Sequence, residues 1–535
     1  MSQHLPAFLL ALPIGGAFLA PLACYLGRKF RNFFYLLVLL LTLVCAVLIF
    51  LETSAGKILV YVMGEESALL TLPSGMAFPV RIILEMDAFS GLMILCIAVA
   101  SFAGALFSIN YMDKFSGLKR FVSLYFLLVL GALGMCATGD LFNFFVFVEI
   151  SSIASYGLVA FWRDKPESIE ASFKYMLLSQ VGALLLLVAV GTLYGKYNAI
   201  NVGALASIFQ KSMLENNVGA PASILQIGML EKIVFAMFIA ILAFKCGAFP
   251  MHAWLPDAYA EAPSGVTCLL VSVSQASFYG LMRICFTLYG ATSASATAAW
   301  ILITLGCASM FFGVMMAVIQ HDVKRLMGYH SISQVGYMLL AMGVGLLALS
   351  DTASMAEYGY TAMKGGIFHL FNYSMFKGLL FLTAGALYYA TGTRDLDKMG
   401  GLARSMPWTT VMFMIGAVAI SGLPPFSGFA SKWLIYESSF AIHPILPVVA
   451  LLTSILTLAS FVKVFQSAFL GASKISLAPV REVPFGMLCG MGLLSIIILF
   501  VSFFPHIFVS GVAEPSARGL IDQAGYINAI LGGVK

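Results

Sequence analysis

Charge is what this 535-residue sequence lacks most: only 10% of its residues are Asp, Glu, Lys or Arg, against about 25% in a soluble chain. That scarcity excludes a string of soluble domains of this total length, which would need far more polar surface. The net charge of +5 is small and its basic residues sit in short clusters between apolar runs, so the concentrated basic face of a nucleic-acid binder is absent. Nine cysteines are scattered without a single C-x-x-C pair, which argues against a zinc site, an iron–sulfur site or a disulfide framework. There is no C-x-x-C-H, and the histidines do not repeat on two helices at matched spacing, as a haem held between facing helices would need. The phosphate-cradling pattern G-x-x-x-x-G-K-[ST] is also missing, so nothing points to ATP. No cofactor and no metal is expected.

What the chain has instead is hydrophobicity, at 61% of residues. It falls into runs of the length that crosses a bilayer core, about 20 residues each. Fourteen spans are expected, at 5–26, 33–51, 82–111, 121–138, 140–162, 171–195, 229–248, 264–289, 298–319, 326–349, 363–390, 407–438, 444–470 and 484–511. The first reads as a resident span because a second follows so closely. Loops after odd-numbered spans carry fifteen basic residues, among them Arg28, Lys29, Lys119, Arg120, Lys324, Arg325 and Lys474. The opposite side and its span ends carry eight, including Lys57, Arg81, Lys196 and Lys535. By the positive-inside rule the richer loops are cytoplasmic and both termini face outward. The chain is then an all-α polytopic protein of a cytoplasmic membrane, with the lipid bilayer as its first partner.

Two spans contain breaks. Phe249-Pro250-Met251-His252-Ala253-Trp254-Leu255-Pro256-Asp257 closes span 7, and Ser421-Gly422-Leu423-Pro424-Pro425-Phe426-Ser427-Gly428 interrupts span 12. Proline breaks the helix at both, and irregular backbone survives at membrane depth only where protein or a water-filled cavity satisfies it. The breaks are five spans apart, so equivalent helices run in opposite directions. That is the pattern of two inverted five-helix repeats with ion sites at the broken helices. The expected division is an N-terminal three-helix segment (1–111), a first repeat of spans 4–8 (121–289), a second of spans 9–13 (298–470), and a C-terminal helix and tail (484–535).

Ionisable residues lie deep within these runs: Glu149, Lys174, Lys245, Arg283, Lys377, Lys432, Glu437 and Lys463. Each costs about 2.5–3.5 kcal/mol at mid-bilayer even on a generous insertion scale, so they must pair or meet water. Polar residues accompany them at helical spacing: Glu149 with Ser152 and Tyr156; Ser272 with Gln275 and Tyr279; His330 with Ser333, Gln334 and Tyr337; His369 with Tyr373 and Lys377; Lys432 with Tyr436. Such stripes can hold a file of water and protons. A Lys245 paired with Glu149 would keep its proton and release it when the pair separated. The plainer alternative for any single pair is a structural ion pair that locks helices. Arg283 and Lys463, with Lys174 beside them, read as snorkelling anchors near helix ends, and His252 and His321 as structural.

At these residues the chain resembles the antiporter-like membrane subunits of respiratory complex I, Mrp sodium/proton antiporters and membrane-bound hydrogenases. The matching segments are FNFFVFVEISSIASYGLVAFW, SIEASFKYMLLSQVG, FKCGAFPMHAWLPDAYAEAPS, QHDVKRLMGYHSISQVGYM, HLFNYSMFKGLLFLTAGAL, TRDLDKMGGL and SGLPPFSGFASKWLIYES, over about residues 130–440. The resemblance implies fourteen helices with inverted repeats and a proton relay through Glu149, Lys245, His369, Lys377 and Lys432. Many members have a lysine in span 8 where this chain has Gln275, which can hydrogen-bond a water chain but carries no charge. Water, Tyr279 or His330 would have to bridge there. The GYHSI spelling around His330 is more similar to the hydrogenase-associated members. The resemblance implies a subunit that moves H⁺ or Na⁺ within an ion-pumping oxidoreductase or antiporter complex, without a redox centre of its own. The alternative is a secondary transporter, stand-alone or associated with inorganic-carbon uptake. Partners are then the other membrane subunits and the ion, with no nucleic acid.

Overall fold

Long apolar runs with no water to satisfy their amides leave the chain only helix, and helix is what it forms. The computed structural model describes residues 4–63, 70–71, 77–78, 82–115, 118–216, 227–471 and 480–531. Arg81, Lys474 and Lys535, used above in the loop-charge count, lie outside them. The first helices are α1 (Leu5–Tyr25) and α2 (Arg28–Ser54), followed by a strand β1 (Leu59–Val62), two short strands β2 (Leu70–Thr71) and β3 (Ala77–Phe78), and β4 (Ile83–Met86). β1 pairs antiparallel with β4, Leu59 opposite Met86, so the start of the expected span 82–111 is a strand, and α3 runs Ala88–Phe115.

Then come α4 (Leu118–Ala137), α5 (Leu141–Val159), α6 (Pro166–Tyr197), α7 (Val202–Asn216), α8 (Met229–Cys246), α9 (Leu255–Glu261) and α10 (Ser264–Met282), which continues as a π-helical turn through Tyr289. α7 occupies a stretch expected to be loop. The second half holds α11 (Ser295–Val318), α12 (Val323–Ala348), α13 (Thr352–Ser354), α14 (Tyr360–Thr391), α15 (Pro407–Ser421), α16 (Ser427–Phe440), α17 (Ile445–Val464) and α18 (Phe485–Phe503). Three short helices follow: α19 (Pro505–Phe508), α20 (Glu514–Ile521) and α21 (Gln523–Leu531).

Among the described residues twelve helices are long and apolar enough to cross a membrane. The expected fourteen are reached only if α8, which carries Glu231, Lys232 and Lys245, and the broken α15–α16 pair also cross. Burial sorts the helices into two classes. The most apolar stretches of α10 and α14 are wholly buried and that of α12 is 94% buried, whereas those of α1, α2, α6 and α17 are buried over only 33–39%. The inner helices therefore pack on every side, and the outer ones turn Phe18, Phe173, Val181 and Ile455 outward, as lipid-facing helices do. Close approach of α11 and α12 depends on missing side chains. A Cβ on Gly336 would lie 2.5 Å from the carbonyl oxygen of Gly306 and 2.6 Å from the amide of Met310, the small-residue packing that lets membrane helices touch.

Both expected breaks are present, and they are built alike. α8 ends at Gly247 (φ +82°) and α15 at Gly422 (φ +72°), left-handed positions that glycine tolerates without strain. In each, the glycine amide bonds back three residues (Gly247 to Phe244, Gly422 to Ala419) and the next amide five (Ala248 to Ala243, Leu423 to Val418), closing the last turn as a Schellman motif. A cis-proline follows each, at Pro250 and Pro425. The entries to α5 and α12 also match: Asp140 accepts from the amides of Phe142 and Asn143, and Asp322 from those of Lys324 and Arg325.

Candidate ion-relay site

Each broken helix leaves the negative end of its dipole inside the protein, where a cation is stabilised. A lysine sits at each. Lys245 lies in the last turn of α8, 5% exposed, and its Nζ donates to Ser152 Oγ of α5 at 3.0 Å and to Ser179 Oγ of α6 at 2.5 Å. Lys432 reaches back from α16 to donate to the carbonyl of Ile420 (2.8 Å) and to Ser454 Oγ of α17 (3.0 Å). Its Nζ also stands 4.7 Å over the Tyr337 ring, a cation–π contact. Lys377, on fully buried α14, donates to the carbonyl of Met327 of α12 at 2.5 Å. Among the described residues none of the three ammonium groups has a carboxylate within 4.0 Å, so no ion pair locks the proton in place.

Glu149 is half-buried on α5. Its Oε2 accepts from Gln180 Nε2 at 3.1 Å, and its Oε1 is buried without a partner. The direct Glu149–Lys245 ion pair anticipated from the sequence is not made. The two are instead joined through adjacent residues of α6, Ser179 on the lysine and Gln180 on the carboxylate, and the carboxylate's field reaches the ammonium.

From Lys245 a small cavity leads inward between Tyr175, Trp254, Tyr259, Ser274 and Ser277. At about 10 Å³ it has the size needed for one water molecule. Tyr259 bonds Ser274 Oγ at 3.0 Å, and Ser274 and Ser331 stand beside Tyr373, which is one turn from Lys377. Beyond, His330 bonds Ser460 at 2.8 Å and feels the charges of Lys377 and Lys432. His369 bonds Ser431 at 3.1 Å. Along this line lie buried polar atoms with no protein partner: Ser272 Oγ, Ser333 Oγ, both polar atoms of the Gln334 amide, His330 Nδ1 and His369 Nε2. Buried polar atoms are nearly always hydrogen-bonded, to ordered water where not to protein. A row of them across the inner helices leaves hydrogen-bonding capacity that the protein does not fill.

Gln275 takes a different part. Its Nε2 donates to the Leu370 carbonyl at 2.7 Å and its Oε1 accepts from Ser374. Both halves of the amide are used in pinning α10 to α14.

Several expectations need correction. Arg283 does not snorkel: it is 5% exposed and ion-paired with buried Asp87, because the π turn keeps it over the inner surface of α3. Lys463 donates to the carbonyls of Val318 and Gln320 at 2.9 and 2.8 Å, so it caps the end of α11. Lys174 and Glu437 are exposed. Lys174 pairs with Glu170 at 2.6 Å and Asp257 at 3.6 Å. Lys324, counted above as a loop charge, is buried with its Nζ on the carbonyl of Ala262. Beside it, Arg325 pairs with Asp257 (2.9 Å) and Arg394 with Glu261 (2.7 Å) and Asp322 (2.9 Å), around an open cavity of about 360 Å³. The linking hydroxyls Ser179, Ser431, Ser454 and Ser460 were missed. Serine within an apolar helix is common, and only its neighbour across the helix interface makes it a link.

Residues 138–457 match the family described as NADH:quinone oxidoreductase/Mrp antiporter, transmembrane. The chain belongs to that family. Among its relatives, a Na(+)/H(+) antiporter subunit of Alkalihalophilus pseudofirmus is 34% identical over 74% of this chain and 75% of its own length. "NADH-quinone oxidoreductase subunit N" of Desulforudis audaxviator is 31% identical over 91% of each. In three dimensions the chain superposes on one subunit of the Mrp complex from Dietzia sp. with a TM-score of 0.84 at 24% identity, covering 99% of both chains. A chain of the archaeal membrane-bound sulfane sulfur reductase gives 0.82 at 27% identity, over 98% of this chain and 99% of that one. The chain is an antiporter-like membrane subunit of this family, and the residues gathered at its two broken helices fall inside the matched region.

Proposed function

We propose that the chain translocates protons within a multisubunit membrane complex, along a relay of Glu149, Lys245, Lys377, His330, His369 and Lys432. The observation that carries this is the row of three buried lysines with no carboxylate within 4.0 Å among the described residues, threaded by buried polar atoms that lack protein partners. Protons suit such a row better than Na⁺. An ammonium group repels a metal cation, whereas the lysine side chain gives up or takes a proton directly. Relatives named as subunits of antiporters and quinone oxidoreductases support partner subunits in the same membrane. The matching Schellman breaks and the paired Asp140 and Asp322 caps support two inverted five-helix repeats, with α8 and α15–α16 counted among fourteen spans. The loop charges support a cytoplasmic membrane with both termini outside.

In this reading Lys245 alternates between the two serine hydroxyls, where it now rests, and Glu149. A conformational change that moves α5, α6 or α8 closes or opens that pair, and the proton moves on through the cavity beside Ser274 toward Tyr373 and Lys377. Gln275 holds the helices and the water file passes it. Electron transfer, where the complex has it, belongs to other subunits.

The test is Lys245→Ala in the purified complex reconstituted in liposomes. Proton uptake is expected to be lost while the partner subunits still assemble. An assembled Lys245→Ala complex that pumps at the full rate defeats the proposal. A chain that purifies alone and carries a solute would favour a stand-alone transporter.

A further inference from the structure

At the end of the bundle that carries His4 and the β1–β4 pair lies a second buried charge cluster, unused by the relay. Glu85 of β4 is completely buried, with Tyr526 of α21 facing its carboxylate and neither oxygen in a well-formed hydrogen bond. Asp87, just past the end of the strand, accepts at Oδ1 from Arg283 and from the amide and hydroxyl of Ser90, and leaves Oδ2 buried and unpartnered. Ser90 Oγ continues to Tyr279 Oη at 2.7 Å.

Two cavities border the neighbours of Glu85, Asp87 on one side and Arg283 with Tyr526 on the other. One is an open vestibule of about 520 Å³, lined by Asp87, Glu514, Asp522, Lys57 and Arg518. The other is small, about 20 Å³, and its lining includes Asp140, Tyr279, Arg283, Tyr526 and Phe144 of α5. Glu149 lies five residues further along α5. The groups facing Glu85 are Arg283 from the π turn, Asp87 from the link between β4 and α3, and Tyr526 from α21, with Gly139 of the α4–α5 turn closing the fourth side.

Resting on the relay reading above, we infer that Glu85 is the proton-loading group at this mouth, the carboxyl on which a proton rests between the vestibule and Glu149. A proton passes from vestibule water at Asp87 to a Glu85 oxygen, and leaves from it past Arg283 and Tyr526 into the smaller cavity, or runs the reverse course. Asp87 and Arg283 act as positioning residues. Their pair holds the cluster together without consuming Glu85, so the carboxyl is free to gain and lose its proton. Burial pushes the Glu85 carboxyl well above the usual carboxylate range, against the opposing pull of Arg283, which agrees with a proton resident there near neutrality.

The experiment compares wild type, Glu85→Gln and Glu85→Asp in the purified complex. It measures proton uptake in liposomes and the infrared band of protonated carboxylic acids. The expected result is a neutral-pH carboxyl band in wild type that is lost in Glu85→Gln, with uptake slowed by about tenfold or more, the scale on which a missing acid–base group tells. Glu85→Asp keeps a shifted band and recovers part of the rate. If Glu85→Gln fails to assemble, the Asp variant decides: a shifted band with partial transport supports the inference, and no band in either protein overturns it. Full-rate uptake in Glu85→Gln, with Lys245→Ala still inactive, overturns this inference and leaves the relay standing. If both variants pump fully, the relay fails too. A band that responds to Na⁺ and not to pH overturns the assignment of the proton.

Discussion

Replacing Glu149 by Gln keeps the side chain's shape and its bond from Gln180 but removes the charge that acts on Lys245. The size of the effect follows from electrostatics at short range. At 4 Å and an effective dielectric constant of about 20, two unit charges attract by about 4 kcal/mol. Doubling the separation leaves about 2 kcal/mol. In the present arrangement the pair is open, with no contact within 4.0 Å and Lys245 held by Ser152 and Ser179. Closing it from twice the contact separation, about 8 Å, to about 4 Å would change the coupling by about 2 kcal/mol, roughly thirtyfold in proton occupancy at about 1.4 kcal/mol per tenfold. That swing is the energy by which movement of α5, α6 or α8 can push a proton. Glu149→Gln sets it to zero, so initial proton uptake by the reconstituted complex, followed with a pH-sensitive dye, is expected to fall by about thirtyfold. Glu149→Asp, with the charge retained on a shorter stem, is expected to lose less. Uptake at the wild-type rate in Glu149→Gln would refute the reasoning, because the step would then be driven by something other than this pair.

Two further expectations concern stability. Gln275→Leu leaves the Leu370 carbonyl and the Ser374 hydroxyl without their partner. A loss of about 1–3 kcal/mol is expected in the thermal unfolding of the purified complex, with proton uptake per folded complex little changed. Burial pushes the Asp140 carboxyl up to about 6, against about 3.9 in an unfolded chain, so folding takes up a proton. That contribution is fully present below about pH 4 and is lost as pH rises through about 6, which adds about 1.4 kcal/mol on going from about pH 7 to about pH 5. Asp140→Asn keeps the cap acceptor and is expected to flatten this dependence, measured as the shift of unfolding temperature with pH.

The amino-acid sequence by itself determined the class of the fold and the positions of its two breaks. Apolar length and proline placement are local properties, read without knowing what packs against what. It also marked Glu149, Lys245, Lys377 and Lys432, since a charge inside a twenty-residue apolar run is conspicuous wherever the helix goes. Neighbourhood is a different matter, and only the tertiary structure decided it. Whether Lys245 meets Glu149 or two serines depends on how α5, α6 and α8 are rotated about their axes. Nothing in any one helix records that angle. The same holds for Arg283, which reads as an anchor from its place near a helix end and is in fact turned inward by a π turn onto Asp87. Lys324 counts as a loop charge until α9 covers it, and Glu85 looks like part of a span until it is seen in a strand beneath α21. Each of these reversals has one physical cause. The cost of burying a charge is set by the partners and cavities that three-dimensional packing supplies, and residues far apart in the chain supply them.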